Sequence, residues 1–302
     1  MTGPLPLSVM VLTHDEALNL PACLQSVEGL AGEIVVVDSG STDATQDIAR
    51  AAGATVVTHP FESHARQWRW ALDSATLSHD WVLGLDADQY VTPELATELR
   101  GLFASGPPAG VDGFYVKRRQ VFRGRWIRHG GYYPRYLLKL FRRDRVRLDT
   151  EEALDHHFYV DGPTPELQHD IVEHNRKEDD IRFWLQKHIR YADLVAAEMR
   201  SRATGAGTVV KAAPFGTRAQ RSLWLRRQGY RLPAYWRAAG YFLYRYFFQL
   251  GFLDGREGFV FHFMQAFWFR VLVDVRLEDE ARLTVPDRDA TFAGSGQPKE
   301  KV

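Results

Sequence analysis

A single cysteine, Cys23, stands among 302 residues. That excludes a disulfide framework and any zinc site built on cysteine. The first residues hold no basic stretch followed by an apolar run, so no signal peptide is expected. No run of 18 uncharged apolar residues occurs, and the sequence therefore predicts no conventional membrane span. Net charge is missing too. Lys+Arg and Asp+Glu both total 38, a balance that does not point to nucleic acid. The chain lacks GxxxxGK followed by Ser or Thr, which excludes a P-loop. It lacks GxGxxG after its first strand, which weakens a dinucleotide site, and it lacks HExxH. The pairs Glu173-His174 and His156-His157 have no metal-ligand spacing behind them and read as structural or hydrogen-bonding residues.

What is present is a globular composition, 45% hydrophobic and 25% charged, with aromatics at 13%. The charge is unevenly placed. Positions 1–105 carry 14 acidic and 4 basic residues, whereas positions 199–253 carry 10 basic residues and no acid. An acidic front that binds a phosphorylated ligand needs a cation between them. A basic back suits anionic lipid or a phosphate.

Short apolar runs alternate with helical patterns through the first 105 residues. Strands are expected over Leu7–Leu12, Glu33–Val37, Ala54–Thr58 and Asp80–Leu85. Helices are expected up to about Val27 (capped by Thr13 or Asp15), from Asp43 through Ala52, over Trp68–Ala75 and over Pro93–Phe103. This alternation calls for right-handed βαβ units and a parallel sheet, an α/β fold. Gly106–Gly110, GPPAG, is a break. Beyond it Gly113–Gln120 and Tyr136–Phe141 alternate as strands, Asp180–Met199 is an amphipathic helix, and Arg218–Leu277 is helical and rich in aromatics.

Parallel sheets bind ligands outside the carboxyl ends of their strands. Three polar clusters fall there: Thr13-His14-Asp15-Glu16, Asp38-Ser39-Gly40-Ser41 and Asp86-Ala87-Asp88. Two carboxylates at such an end can address one hard cation, and Mg²⁺ commonly takes one or two carboxylates plus substrate phosphates. Asp38 also reads as a turn and cap residue.

The runs LSVMVLTHDEALNLPACLQSV, EIVVVDSGSTDAT and DWVLGLDADQYVTPEL resemble the catalytic core of family 2 glycosyltransferases. The nearer likeness is to the bacterial branch that builds lipopolysaccharide cores and exopolysaccharides. It continues through GRWIRHGGYYPRYLLKLFRR and GFLDGREGFVFHFMQAFWFRVLVD. The resemblance implies a GT-A type fold, a Rossmann-like nucleotide-sugar-binding sheet joined to an acceptor half. It implies that Thr13 and Glu16 lie near the nucleoside, that Asp38 reads the base or ribose, and that Asp86 and Asp88 form the metal-binding pair. Asp88 is then the direct ligand of Mg²⁺ or Mn²⁺ bridging to the diphosphate of a nucleotide sugar. The sequence departs from the family pattern at His14-Asp15-Glu16 (commonly Tyr-Asn-Glu), at Gln89 (often Glu), and at Asp155-His156 before Gly162-Pro163 (often His-Glu). The general base stays open among Asp155, His156 and Glu152.

Sugar transfer accumulates charge on the leaving diphosphate, which a divalent cation stabilises, and needs a group to take the acceptor proton. The sequence therefore predicts an inverting hexosyltransferase that uses a nucleotide diphosphate sugar and a lipid-linked or polysaccharide acceptor. The rival readings are a polyprenyl-phosphate sugar synthase, a metal-dependent sugar nucleotidyltransferase and a non-catalytic sugar-nucleotide-binding module. Between Tyr230 and Arg270 stand 16 aromatics, 5 arginines and 2 acids, a mixture that suits an anionic bilayer surface. The expected organisation is a catalytic domain over 1–205 (halves 1–105 and 106–205), a membrane-associating helical region over 206–285, and a disordered tail over 286–302. The expected location is cytoplasmic, peripheral on the inner face of the cell membrane.

Overall fold

The structure, a computed structural model, describes residues 3–149, 157–203 and 212–284. Its front half holds β1 (Leu5–Thr13), α1 (Leu20–Val27), β2 (Ala31–Asp38), α2 (Thr45–Ala51), β3 (Thr55–Thr58), α3 (His64–Ser74), β4 (Trp81–Asp86), β5 (Gln89–Val91) and α4 (Pro93–Ser105). Next come β6 (Gly113–Phe122), β7 (Arg125–Ile127), β8 (Arg135–Arg142), β9 (Arg147–Leu148), β10 (Phe158–Tyr159) and β11 (Glu166–Glu173). The back end is helical: α5 (Ile181–Ala203), α6 (Arg218–Tyr230), α7 (Trp236–Leu243), α8 (Gly255–His262) and α9 (Phe269–Thr284). Two π-helical turns, Tyr244–Phe248 and Phe263–Trp268, interrupt the last three helices.

A nine-stranded sheet runs β3-β2-β1-β4-β8-β6-β11-β5, with β7 hairpinned to β6. β1 is buried at every position but Pro6, and β4 is buried up to Leu85. Strands with no solvent face read as continuous apolar runs, and LSVMVL and WVLGL are such runs. Strands β1 to β4 are mutually parallel, β8 is antiparallel to both β4 and β6, and β11 is parallel to β6. The carboxyl ends of β1, β2, β4, β6 and β11 therefore share one edge. The sheet continues across the GPPAG break, so the two halves expected from the sequence are one sheet.

Helices cover both faces. Leu20, Leu24, Leu95, Leu99 and Phe103 of α1 and α4 pack on one side, and Trp68, Ala71 and Leu72 of α3 pack on the other with Phe158 of β10. A third cluster, Phe122, Ile127, Tyr132, Trp184 and Phe261, joins the β6–β7 hairpin to α5 and α8. Here two remote sequence motifs meet. In the GRWIRHGGYYP run, the His129 backbone N–H donates to Asp254 Oδ2 at 2.8 Å, and His129 Nδ1 lies 2.7 Å from Asp254 Oδ1. Gly130, at φ +66, donates to the Gln249 carbonyl at 2.8 Å. A Cβ at Gly130 would meet the fully buried His262 ring at 2.1 Å, so this contact requires glycine.

The helical stretch Gly251–Asp279 is long and apolar enough to cross a membrane by length and composition, although charged residues interrupt it and no span is expected from uncharged runs alone. Two charges in it turn inward. Arg270 lies 3.9 Å from the Tyr241 ring centroid, and Asp274, 2% exposed, pairs with Arg237.

Candidate active site

Thr13 and Asp38 sit side by side at the ends of β1 and β2, and Thr13 Oγ1 donates to Asp38 Oδ1 at 3.0 Å. Asp38 is fully buried. Its carboxylate also accepts from the backbone N–H of Gly40 (3.0 Å) and Ser41 (2.9 Å), from the Ser41 hydroxyl, and from Gln46 Nε2 at 2.7 Å. Burial alone would raise its pKa, but these donors outweigh it and hold the carboxyl below its ordinary range. Asp38 thus fixes the DSGS turn as an ionised anchor.

The first loop is laced to that turn. Asp15, at φ +52, accepts from Thr42 N–H at 2.7 Å, and the Glu16 N–H donates to Thr45 Oγ1 at 2.7 Å. It is also laced to the segment after β11. Lys177 Nζ reaches Glu16 Oε1 at 2.6 Å, and Asn19 accepts from Arg176 N–H at 2.9 Å. The helix expected to start at Thr13 or Asp15 accordingly begins at Leu20, because these tertiary bonds occupy the residues before it.

At the end of β4 the charges pair off. Lys139 of β8, 3% exposed, donates to Asp86 Oδ2 at 3.1 Å. Arg118 of β6 reaches Glu173 of β11 at 3.0 Å. Gln89 bridges the two groups: its Oε1 accepts from Asp86 N–H at 3.2 Å and its Nε2 donates to Glu173 Oε2 at 2.7 Å. Asp86, Glu173 and Glu16 therefore each hold a cation: Lys139, Arg118 and Lys177. Asp88 has no ion-pair partner among the described residues. Its own carbonyl accepts from the His174 N–H at 2.9 Å, which brings β11 against the DAD turn. Burial, then the charges of Glu173 and Asp86, push the Asp88 carboxyl well above its usual range, and Lys187 opposes them. Lys187 itself is paired with Glu178 at 2.6 Å.

Among the described residues, no three His, Cys, Asp or Glu side chains form a ready-made metal cage. An unpaired carboxylate in an acidic setting nevertheless fits a hard divalent cation whose remaining ligands come from a phosphorylated substrate. The sequence had singled out Thr13, Glu16, Asp38, Asp86 and Asp88, and the structure gathers all five at this edge. It missed Lys139, Arg118 and Lys177. A lysine inside the apolar run YLLKLF was the available signal, since buried lysines are rare unless paired. The base candidates Asp155, His156 and Glu152 lie outside the described residues, and β9 and β10 on either side of them pair antiparallel. A cleft of about 310 Å³ lined by Arg69, Asp73, Asp80, Arg143 and Asp144 lies at the opposite end of β4, away from the carboxyl ends.

The family model described as glycosyl transferase family 2 matches residues 8–160, which takes in Thr13, Glu16, Asp38, Asp86, Asp88, Arg118 and Lys139 and stops short of Glu173 and Lys177. The chain belongs to glycosyl transferase family 2. Its fold is of the GT-A type, with the helical aromatic segment at its C-terminal end. An uncharacterized glycosyltransferase of Rickettsia bellii is 37% identical over 33% of this chain and 33% of its own length. The lipopolysaccharide core biosynthesis glycosyltransferase LpsC of Rhizobium meliloti is 30% identical over 54% of this chain and 60% of its own. The chain thus spans about a third of the length of the first relative and less than two thirds of the second. A solved structure of glucosyl-3-phosphoglycerate synthase from Mycobacterium tuberculosis, in complex with Mn²⁺ and uridine-diphosphate-glucose, is 26% identical over 38% of this chain and 43% of that one. Its TM-score is 0.30.

Proposed function

We propose that the transferase moves a hexose from a nucleotide diphosphate sugar to a hydroxyl of a lipid-linked or cell-envelope glycan, inverting the anomeric centre. The observation that carries this is Asp88, a carboxylate at the end of β4 that lacks an ion pair among the described residues and stands beside the paired carboxylates Asp86 and Glu173. Mg²⁺ or Mn²⁺ held by Asp88 together with the donor's phosphates would supply the positive charge that the departing diphosphate needs. The chain's own residues do the rest. Lys139 neutralises Asp86 and keeps it from competing for the cation. Gln89, Glu173 and Arg118 brace the DAD turn from the far side. Thr13 and Asp38 hold the DSGS turn that the nucleoside lies against, and Glu16 with Lys177 keeps the first loop closed on it.

Asp155 takes the acceptor proton, with His156 and Glu152 as its neighbours in sequence. A carboxylate suits the role because it is ionised at neutral pH and accepts a hydrogen bond from the attacking hydroxyl. Direct attack by that hydroxyl gives inversion. The acceptor class follows LpsC, whose name places it in lipopolysaccharide core biosynthesis. A lipid-linked acceptor puts the enzyme at a membrane, on the cytoplasmic face where nucleotide sugars are found, with the aromatic helices as its contact. A panel of nucleotide sugars, monitored for nucleoside diphosphate release in the presence of glycan acceptors, tests the reading. Release of inorganic pyrophosphate in its place would make the enzyme a nucleotidyltransferase.

A further inference from the structure

In the sequence, the five arginines between Tyr230 and Arg270 read as contacts for lipid phosphate. Three of them are engaged inside the protein. Arg237 binds Asp274, with Nε 3.0 Å from Oδ1. Arg245, 9% exposed, donates to the Gly130 carbonyl and to the Tyr241 hydroxyl, and stacks 4.1 Å from the Tyr132 ring centroid. Arg270 covers the Tyr241 ring. These guanidinium groups brace the helices and the GGYYP loop and do not reach outward.

The same segment turns an apolar surface to the outside. Phe247 is 52% exposed and Phe248 80%, and Leu250, Phe252, Leu253 and Phe259 are between 43% and 49% exposed. Of the four charged residues between positions 243 and 263, Arg245 and Asp254 are buried. Arg256 and Glu257 remain, and they line a small cleft with Arg123 at the start of α8. Tyr244 and Trp236, 51% and 79% exposed, add amphipathic rings of the kind that favours the headgroup level. The face thus has an uncharged aromatic body and a charged margin, the complement of hydrocarbon beside headgroups. The long helix that carries much of it does not stand clear of the protein. Its α9 part packs on α5 through Ala192, Val195 and Val273, and Arg276 pairs with Asp193 at 2.8 Å.

We infer that the face formed by Phe247, Phe248, Leu250, Phe252, Leu253 and Phe259 inserts into the hydrocarbon margin of one bilayer leaflet. Binding to membrane is then driven by apolar burial and not by attraction to anionic lipid. The inference rests on the membrane-surface reading above and specifies its chemistry. Apolar burial is insensitive to salt, whereas headgroup attraction is screened by it.

Flotation with pure phosphatidylcholine vesicles and with vesicles containing phosphatidylglycerol, at low and at high salt, tests it. The protein should float with both kinds, and should stay bound at about 1 M salt, where the Debye length is about 3 Å. The double variant Phe247→Ser, Phe248→Ser should lose about a hundredfold in partitioning, as expected for removing two inserted rings. Both positions are exposed, so an unchanged thermal midpoint confirms that the variant folds. Flotation with anionic vesicles alone, abolished by salt, would overturn insertion and leave the membrane reading standing. No flotation with either kind would overturn both. A dimer that the double variant dissolves, with no vesicle binding, would assign the face to a second copy of the chain. A double variant that floats like the parent would overturn the choice of face.

Discussion

Asp88 shows how a site can be read from charge accounting. Three carboxylates around it are matched by Lys139, Arg118 and Lys177, and the fourth has no ion pair among the described residues. A carboxyl held above its usual range by burial and by Glu173 and Asp86 is a stability cost in the metal-free protein. Asp88→Asn should therefore raise the thermal midpoint of the metal-free protein by a few degrees, equivalent to about 1 kcal/mol. Differential scanning fluorimetry with chelator present reads this directly, and a lowered midpoint would mean that Asp88 makes stabilising contacts. At the acceptor side, general-base catalysis contributes about 10²–10⁴-fold, so Asp155→Asn should cost turnover on that scale while donor affinity holds. Near-normal turnover in that variant, with turnover lost in His156→Ala, would move the base to the imidazole.

At the scale of elements, the front half was legible because parallel strands buried on both faces must be apolar and their ends must be polar. LSVMVL, EIVVV and WVLGL are such strands, and the structure extends each by a residue or more. β11 was not legible. ELQHDIVE carries Gln168, His169 and Asp170 and is not among the strands expected from the pattern, yet Asp170 is 3% exposed because Arg119 and the Tyr133 hydroxyl partner it. Only the tertiary fold supplies those partners, so local pattern could not announce the strand that delivers Glu173. The α5 helix carries a different lesson. His188 is buried, stacked 3.5 Å from Trp184 with its Nδ1 2.9 Å from the Trp184 carbonyl oxygen, and packed edge-on to Phe269 of α9. Burial lowers its pKa to about 4. A folded pKa below the unfolded value of about 6.5 means full stability above 6.5 and loss as pH falls through 4. Urea titrations should show a loss on the order of 3 kcal/mol between pH 7 and pH 4. His188→Phe should flatten that slope. An equally steep slope in the variant would place the acid sensitivity elsewhere, and Asp254, which burial pushes up but its hydrogen-bond donors bring down to about 2, titrates only below this window.

For the whole molecule, the neutral total of charges conceals a division of labour. The acidic front ends in a sheet edge where Asp88 has no ion pair among the described residues. Several arginines of the basic back turn inward to hold the aromatic helices on the GGYYP loop. The family match covers the front and stops at residue 160, so the helices that would carry the enzyme to its acceptor lie beyond it. The claim on which the rest depends is that the sheet edge binds a nucleotide sugar through a divalent cation on Asp88. The most direct measurement is nucleoside diphosphate release from the protein's preferred nucleotide sugar, after chelation and after return of Mn²⁺ or Mg²⁺, in the parent and in Asp88→Asn. The account predicts turnover that vanishes with chelator, returns with either ion in the parent, and stays at least about 10²-fold lower in Asp88→Asn at saturating metal. Turnover that survives chelation, or an Asp88→Asn enzyme with parental turnover and metal dependence, would contradict it.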